Sequence, residues 1–305
     1  MLAAGYAAVL VACAAAIGWL YRSRWTWRLP RVGIASWQAL GLALGLALIG
    51  LPLAIGLAPY QAPPGAAMVR LASDLWHGTL PAALGPPHLV SVAAGLLIGA
   101  WLLWVTAACL VRTWRTQRRH RRLLSLVGRP DPDAPGALVL DHPRAAAYCL
   151  PGLRPTIVVS AGTLDLLRGD ELPAVLCHER SHAIERHDLV LLPFAALRQA
   201  LPPARWLRAV GESVADSVAL LVEMRADDRA RRDYPDGLAA ALRRFASAGP
   251  AAAPAGALGV ADHAVTIRVR RLHEHGRPPL LRAAAALIGT LALAIAPAAL
   301  FLLGA

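Results

Sequence analysis

The chain has 305 residues, of which 57% are hydrophobic and only 16% charged. That is too apolar for an ordinary soluble domain, and membrane insertion is the first reading. The formal net charge of +12 comes mostly from arginines that cluster beside apolar runs, a pattern of cytoplasmic loops more than of a nucleic-acid surface, so no direct nucleic-acid binding is expected.

In chain order, four segments reach the roughly 20 apolar residues that a spanning helix needs. They are about Leu2 to Leu20, Ile34 to Ala58, Leu89 to Val111 and Leu280 to Leu303. The first reads as a retained anchor and not a signal peptide, because its arginines follow it instead of preceding it. The loop after it carries Arg22, Arg24, Arg28 and Arg31, whereas the loop from Pro59 to His88 carries only Arg70. After the third span comes "RTWRTQRRHRR", with six arginines from Arg112 to Arg122. The positive-inside rule then puts the first loop and everything after Val111 in the cytoplasm, with the basic run anchored on anionic membrane lipid. The expected organisation is a membrane region at 1–112 with three transmembrane helices, a polar domain at 113–278, and a C-terminal transmembrane helix at 279–305.

The polar domain is long enough for its own core. Short β-like runs come first, namely "ALVLD" (Ala137 to Asp141), "AAYCL" (Ala146 to Leu150) and "TIVVS" (Thr156 to Ser160), separated by turn residues. "TIVVS" is either an edge strand able to pair with an extended substrate or an internal one. From Leu164 onward the pattern is helical, interrupted by the small-residue linker Gly249 to Gly259, which is expected to be mobile.

Chemistry concentrates in "ELPAVLCHERSHAIERHDLV". His178 and His182 are four residues apart, so both imidazoles leave one helix face one turn apart. Two such imidazoles can bind one Zn²⁺. Glu179 follows the first of them, where it reaches the attacking water without occupying the metal, the general-base position of HExxH metallopeptidases. Cys177 points about 100° away from His178 and reads as packing; the four cysteines have no CxxC spacing, so neither a disulfide framework nor a thiolate zinc site is indicated. His187 lies about 140° round the same helix from His182 and is not expected on the same metal.

A third ligand is sought in "GESVADSVALLVEMRADDRA", where Glu212, Asp216, Glu223 and Asp227 form an acidic stripe. Glu223 is favoured, since it directly follows "VALLV" and a buried carboxylate needs a cation or donors. Asp216 and Asp227 are the alternatives; Asp227 otherwise reads as an acceptor for a ligand imidazole's free N–H. His263 is a candidate transition-state or substrate contact, and Arg268 and Arg271 are candidates to hold an acidic ligand, with surface roles preferred for all three.

The HExxH sequence followed by "EMRAD" (Glu223 to Asp227), together with the upstream "AAYCLPGLRPTIVVSAGTLDLLRGDELPAVLCHERSH", resembles the gluzincin pattern of integral-membrane peptidases. Three spans before the domain and one after resemble the BlaR/MecR-like transmembrane regulatory metallopeptidases more than the related HtpX-type quality-control proteases, which usually have two spans before the zinc motif. The resemblance covers roughly Arg112 to Arg271 plus the span pattern. It implies a fold that is α-helical and multi-pass, with about four transmembrane helices and a cytoplasmic, mainly helical α+β zincin-like domain. It implies Zn²⁺ as cofactor, and a protein or peptide substrate such as a cytoplasmic winged-helix repressor or the enzyme itself. The large extracellular penicillin-binding domain of the beta-lactam receptors is not seen after the last span, so a beta-lactam signal does not carry over. The rival readings are an HtpX-type protease and a non-catalytic membrane signalling scaffold.

Overall fold

A computed structural model describes residues 1–79, 84–152, 155–248, 262–274 and 279–304, without the side chains of residues 262 and 263. The linker expected at 249–259 lies outside the described residues. The order of elements is α1 (Leu2–Arg22), α2 (Trp25–Arg28), α3 (Pro30–Gly56), α4 (Pro64–His77), α5 (Pro86–Val127), β1 (Arg129–Pro130), β2 (Ala137–Leu140), β3 (Ala147–Leu150), β4 (Thr156–Ser160), α6 (Ala161–Leu166), α7 (Glu171–Ile184), α8 (His187–Ala200), α9 (Arg205–Asp233), α10 (Gly237–Ser247), α11 (Asp262–His273) and α12 (Leu280–Leu303). The protein is mostly helical. Two compact units divide it, one of Met1–Ala108, Pro193–Val214 and Pro279–Ala305, the other of Cys109–Leu192 and Ala215–Pro278.

α1, α3 and α12 of the first unit, and α5, which begins in that unit and ends in the second, are the four described helices long and apolar enough to cross a membrane, which suggests a membrane protein. Without water in the hydrocarbon, polar groups must find partners on neighbouring helices. Prolines 52 and 297 interrupt α3 and α12, and each has its carbonyl on a neighbour's hydroxyl: Ser91 donates to Pro52 at 2.9 Å and Tyr6 to Pro297 at 3.1 Å. Tyr6 fits because residue 50 is glycine. A Cβ there would lie 2.1 Å from the Tyr6 ring, the close approach that small residues permit at membrane helix crossings.

The basic run does not begin a new element. It continues the third apolar run in one helix of 42 residues, about 63 Å long at 1.5 Å per residue and twice the thickness of a hydrocarbon core. The loop expected from Pro59 to His88 contains α4, whose Ala67 and Leu71 are buried against Leu53 and Leu57 of α3 and Val92 of α5.

The second unit carries a four-stranded sheet in the order β1-β2-β4-β3, with β2 and β4 parallel and the outer pairs antiparallel. Side chains alternate across it with the period of two of a strand. Ala137, Val139, Ile157 and Val159 pack with Leu176 of α7, whereas Leu138, Leu140 and Val158 pack with Leu124 near the end of α5. "TIVVS" is therefore an internal strand, and the edge beside it is β3, "AYCL", with β1 at the opposite edge. On its other side α7 shares a core with α9, α10 and α11 through Ala174, Ala230, Leu238 and Leu272. The start of α10 can lie directly on the start of α7 because residue 237 is glycine, where a Cβ would be 2.6 Å from the Asp170 carbonyl. The first turn of α7 is pinned by Glu171, which accepts from the Arg168 backbone N–H and from Arg244, both at 2.8 Å. A helix held by a sheet on one side and three helices on the other is a rigid base for a site.

Candidate metal centre

Three helices of the second unit contribute side chains to one buried polar cluster. From α7 come His178 and His182, stacked by their four-residue spacing. From α9 come Glu223 and Asp227, also one turn apart, and from α11 comes Arg268. Nε2 of His178 and Nε2 of His182 are 3.1 Å apart. Glu223 lies 3.3 Å from the first through Oε2 and 3.5 Å from the second through Oε1. A tetrahedral zinc site with bonds of about 2.0–2.1 Å has donor–donor edges of about 3.3–3.4 Å, so these three donors fit a single ion. His178, His182 and Glu223 are a group that could hold a metal.

Around them the structure arranges a shell of partners. Nδ1 of His178 is 3.0 Å from Oδ1 of Asp227, which is fully buried. Arg268 grips Asp227 with both Nε and Nη2, at 2.8 and 2.6 Å, and reaches Oε2 of Glu223 with Nη1 at 2.9 Å. Nδ1 of His182 is 2.9 Å from Nδ1 of His187. Glu185 stands 3.6 Å from Nε2 of His187 and accepts two hydrogen bonds from Arg225 at 2.9 and 2.7 Å.

The electrostatics follow from burial set against these partners. Burial alone would lower His178, but hydrogen bonding to Asp227 and Glu223 outweighs it and raises the imidazole to about 10. His182 and His187 have weaker compensation, and burial pushes each down to about 4. For Asp227 burial opposes ionisation, yet Arg268 and His178 hold it at about 2; Glu223 is lowered further, chiefly by Arg268. Arg268 and a protonated His178 balance the two ionised carboxylates, so a metal ion that displaces the His178 proton finds one uncompensated negative charge in the cluster. Glu179 is raised to about 7 by burial, with His178 opposing the rise, and its carboxylate accepts from the Cys149 backbone N–H on β3. A carboxylate near 7 is tuned to take up and give back a proton at neutral pH.

Glu212 and Asp216 lie on the exposed side of α9. Cys177 points to Asp233, 3.6 Å away, and is not part of the cluster. His263 falls in the first turn of α11, and its side chain is outside the described residues. Two readings from sequence need correction. Arg268 has no surface role: it is 4% exposed and anchors both carboxylates. Arg271 is likewise drawn in, donating to Asp228 at 2.6 Å and to the Met224 carbonyl at 3.2 Å. A signal for Arg268 existed. Val265, Val269 and Leu272 form the apolar stripe of α11, and Arg268 falls on that stripe by its i+3 spacing from Val265, so a charge sits where a core residue belongs. His187 contacts His182 because α7 does not continue past Ile184. Arg186 adopts a left-handed φ of 50°, which breaks the helical path before α8 starts at His187. A helix unbroken through residue 187 would have held the ring about 140° round from His182.

The sheet, the α7 histidine pair and Glu223 fall within a stretch that has relatives. Residues 111–224 match the family model of Peptidase family M48. This match, over less than half of the chain, supports a metallopeptidase domain, and with the apolar helices it suggests a membrane metalloprotease. Asp227, Arg268 and Arg271 lie beyond the matched residues. No curated protein and no solved structure matches the chain.

Proposed function

We propose that the protein is an integral-membrane zinc endopeptidase whose catalytic domain, with residues 113–278, faces the cytoplasm. The observation that carries this reading is the donor triangle of His178, His182 and Glu223, with edges of 3.1, 3.3 and 3.5 Å. Zinc, when bound, supplies Lewis acidity at the scissile carbonyl and lowers the pKa of its water to about 7. Glu179 takes the proton of the attacking water and delivers it to the leaving amine. Asp227 accepts from His178 Nδ1 and so directs its Nε2 toward the metal, while Arg268 keeps the two carboxylates ionised. The outer edge of β3 supports a protein substrate bound as an extended strand, because the Cys149 N–H on that strand is the one that meets Glu179. The zinc expectation is one ion per chain by elemental analysis. His178→Ala or His182→Ala should abolish retention and Glu223→Ala should weaken it strongly, while Glu212→Ala should leave it intact. Full zinc occupancy in Glu223→Ala would remove that residue from the ligand set.

A regulatory role, with cleavage of a cytoplasmic repressor or of the enzyme itself, is supported by three membrane-length helices before the domain and one after it. The quality-control alternative would act on damaged membrane proteins. Both orientation and substrate class rest on the arginine asymmetry, which reporter fusions test. Fusions after Gly128 and at Ala305 should report opposite sides of the membrane. An externally active fusion after Gly128 would overturn the cytoplasmic placement and the repressor with it.

A further inference from the structure

His182 stands between two neighbours. Its Nε2 faces the donors of His178 and Glu223, and its Nδ1 lies 2.9 Å from Nδ1 of His187, with the two rings edge-on at 84°. His187 is itself buried, at 3% exposure, and its far nitrogen Nε2 is 3.6 Å from Glu185. Two ring nitrogens at hydrogen-bond distance share one proton, so one ring donates and the other accepts. An imidazole that gives its Nε2 lone pair to a metal carries its remaining proton on Nδ1. Nδ1 of His187 must then be the acceptor, which places the proton of His187 on Nε2, on the side of Glu185. That carboxylate is fixed in turn by the two-pronged grip of Arg225.

We infer that His187 is a positioning residue of the metal centre: its Nδ1, at 2.9 Å, accepts from Nδ1 of His182 and so fixes the ligating tautomer and the ring plane of that ligand, with Glu185 facing its far nitrogen beyond hydrogen-bond distance at 3.6 Å. The inference rests on the proposed ligand set. It makes the two ligand imidazoles unlike, since His178 leans on a carboxylate and His182 on a neutral ring. The left-handed turn at Arg186 is what brings His187 to this position, one residue after the chain leaves α7.

The test uses the full chain in detergent. Zinc affinity is read by competition with a chromophoric chelator, and ligand geometry by the visible spectrum of the cobalt(II)-substituted protein. Loss of an outer partner of a ligand histidine costs about 10–100-fold in metal affinity, so that loss is expected for His187→Leu, together with a changed cobalt spectrum. His187→Gln keeps an acceptor oxygen and should restore affinity to within about threefold of wild type, on the same outer-partner logic. Wild-type affinity in His187→Leu would overturn the inference, and so would equal losses in the Leu and Gln variants, which would mark a packing role only. Zinc retained by His182→Ala would instead overturn the ligand set itself. A measurement on the unaltered protein stands apart from how any variant folds. In ¹⁵N-histidine spectra of the zinc-loaded chain, His187 should be protonated at Nε2 and bare at Nδ1, and the opposite tautomer would overturn the inference.

Discussion

Glu179→Gln is expected to reduce peptide-bond cleavage by about 10²–10⁴-fold, the usual loss with a general base, while zinc content and fold stay at wild-type levels. The substitution preserves size and still offers an oxygen to the Cys149 N–H of β3, the hydrogen bond that seats the carboxylate. What it removes is the capacity to take up a proton, which burial has tuned to about 7 in this position. His178, His182 and Glu223 keep their mutual distances because none of them depends on residue 179 for a partner. The assay is cleavage of a candidate repressor, or of the chain itself, in membranes with added zinc, with a chelator as control. Cleavage by Glu179→Gln at the wild-type rate would end the catalytic reading. Normal signalling by Glu179→Gln in cells, with no cleavage by either form, would favour a scaffold.

Arg268→Leu is expected to destabilise the metal-free domain by about 3–5 kcal/mol, the cost of removing one partner from a buried ionic group. The reason lies in what remains. Asp227 is fully buried and Glu223 nearly so, and both lose the cation that keeps them ionised. A leucine, which ends well short of where the guanidinium lay, fills part of the volume but satisfies neither carboxylate. Zinc supplies positive charge to the same pair, so the zinc-loaded variant should lose less than the metal-free one. Urea titrations in detergent, with and without chelator, measure both. A metal-free Arg268→Leu as stable as the wild type would mean that the guanidinium is not what balances these acids.

The features that local sequence decides are those with short periods. Apolar runs of about 20 residues have few stable options besides a membrane helix, and four such helices are present among the described residues. A spacing of four residues places His178 over His182, and Glu223 over Asp227, on any helix that forms there. A strand is legible in "TIVVS", but its place in the sheet and its neighbours are not, because pairing joins segments that are distant in sequence. Whether β4 or β3 lies at the edge follows from the order β1-β2-β4-β3 alone. Arg268 meets Asp227 across 41 residues of chain, and only the packing of α11 against α7 and α9 makes that contact. His187 depends on a single backbone torsion at Arg186, where a continued helix would have carried the ring away. Hydrophobic length and helical repeat are properties of neighbours along the chain. Charge balance in a buried site is a property of neighbours in space, and the tertiary structure decided it.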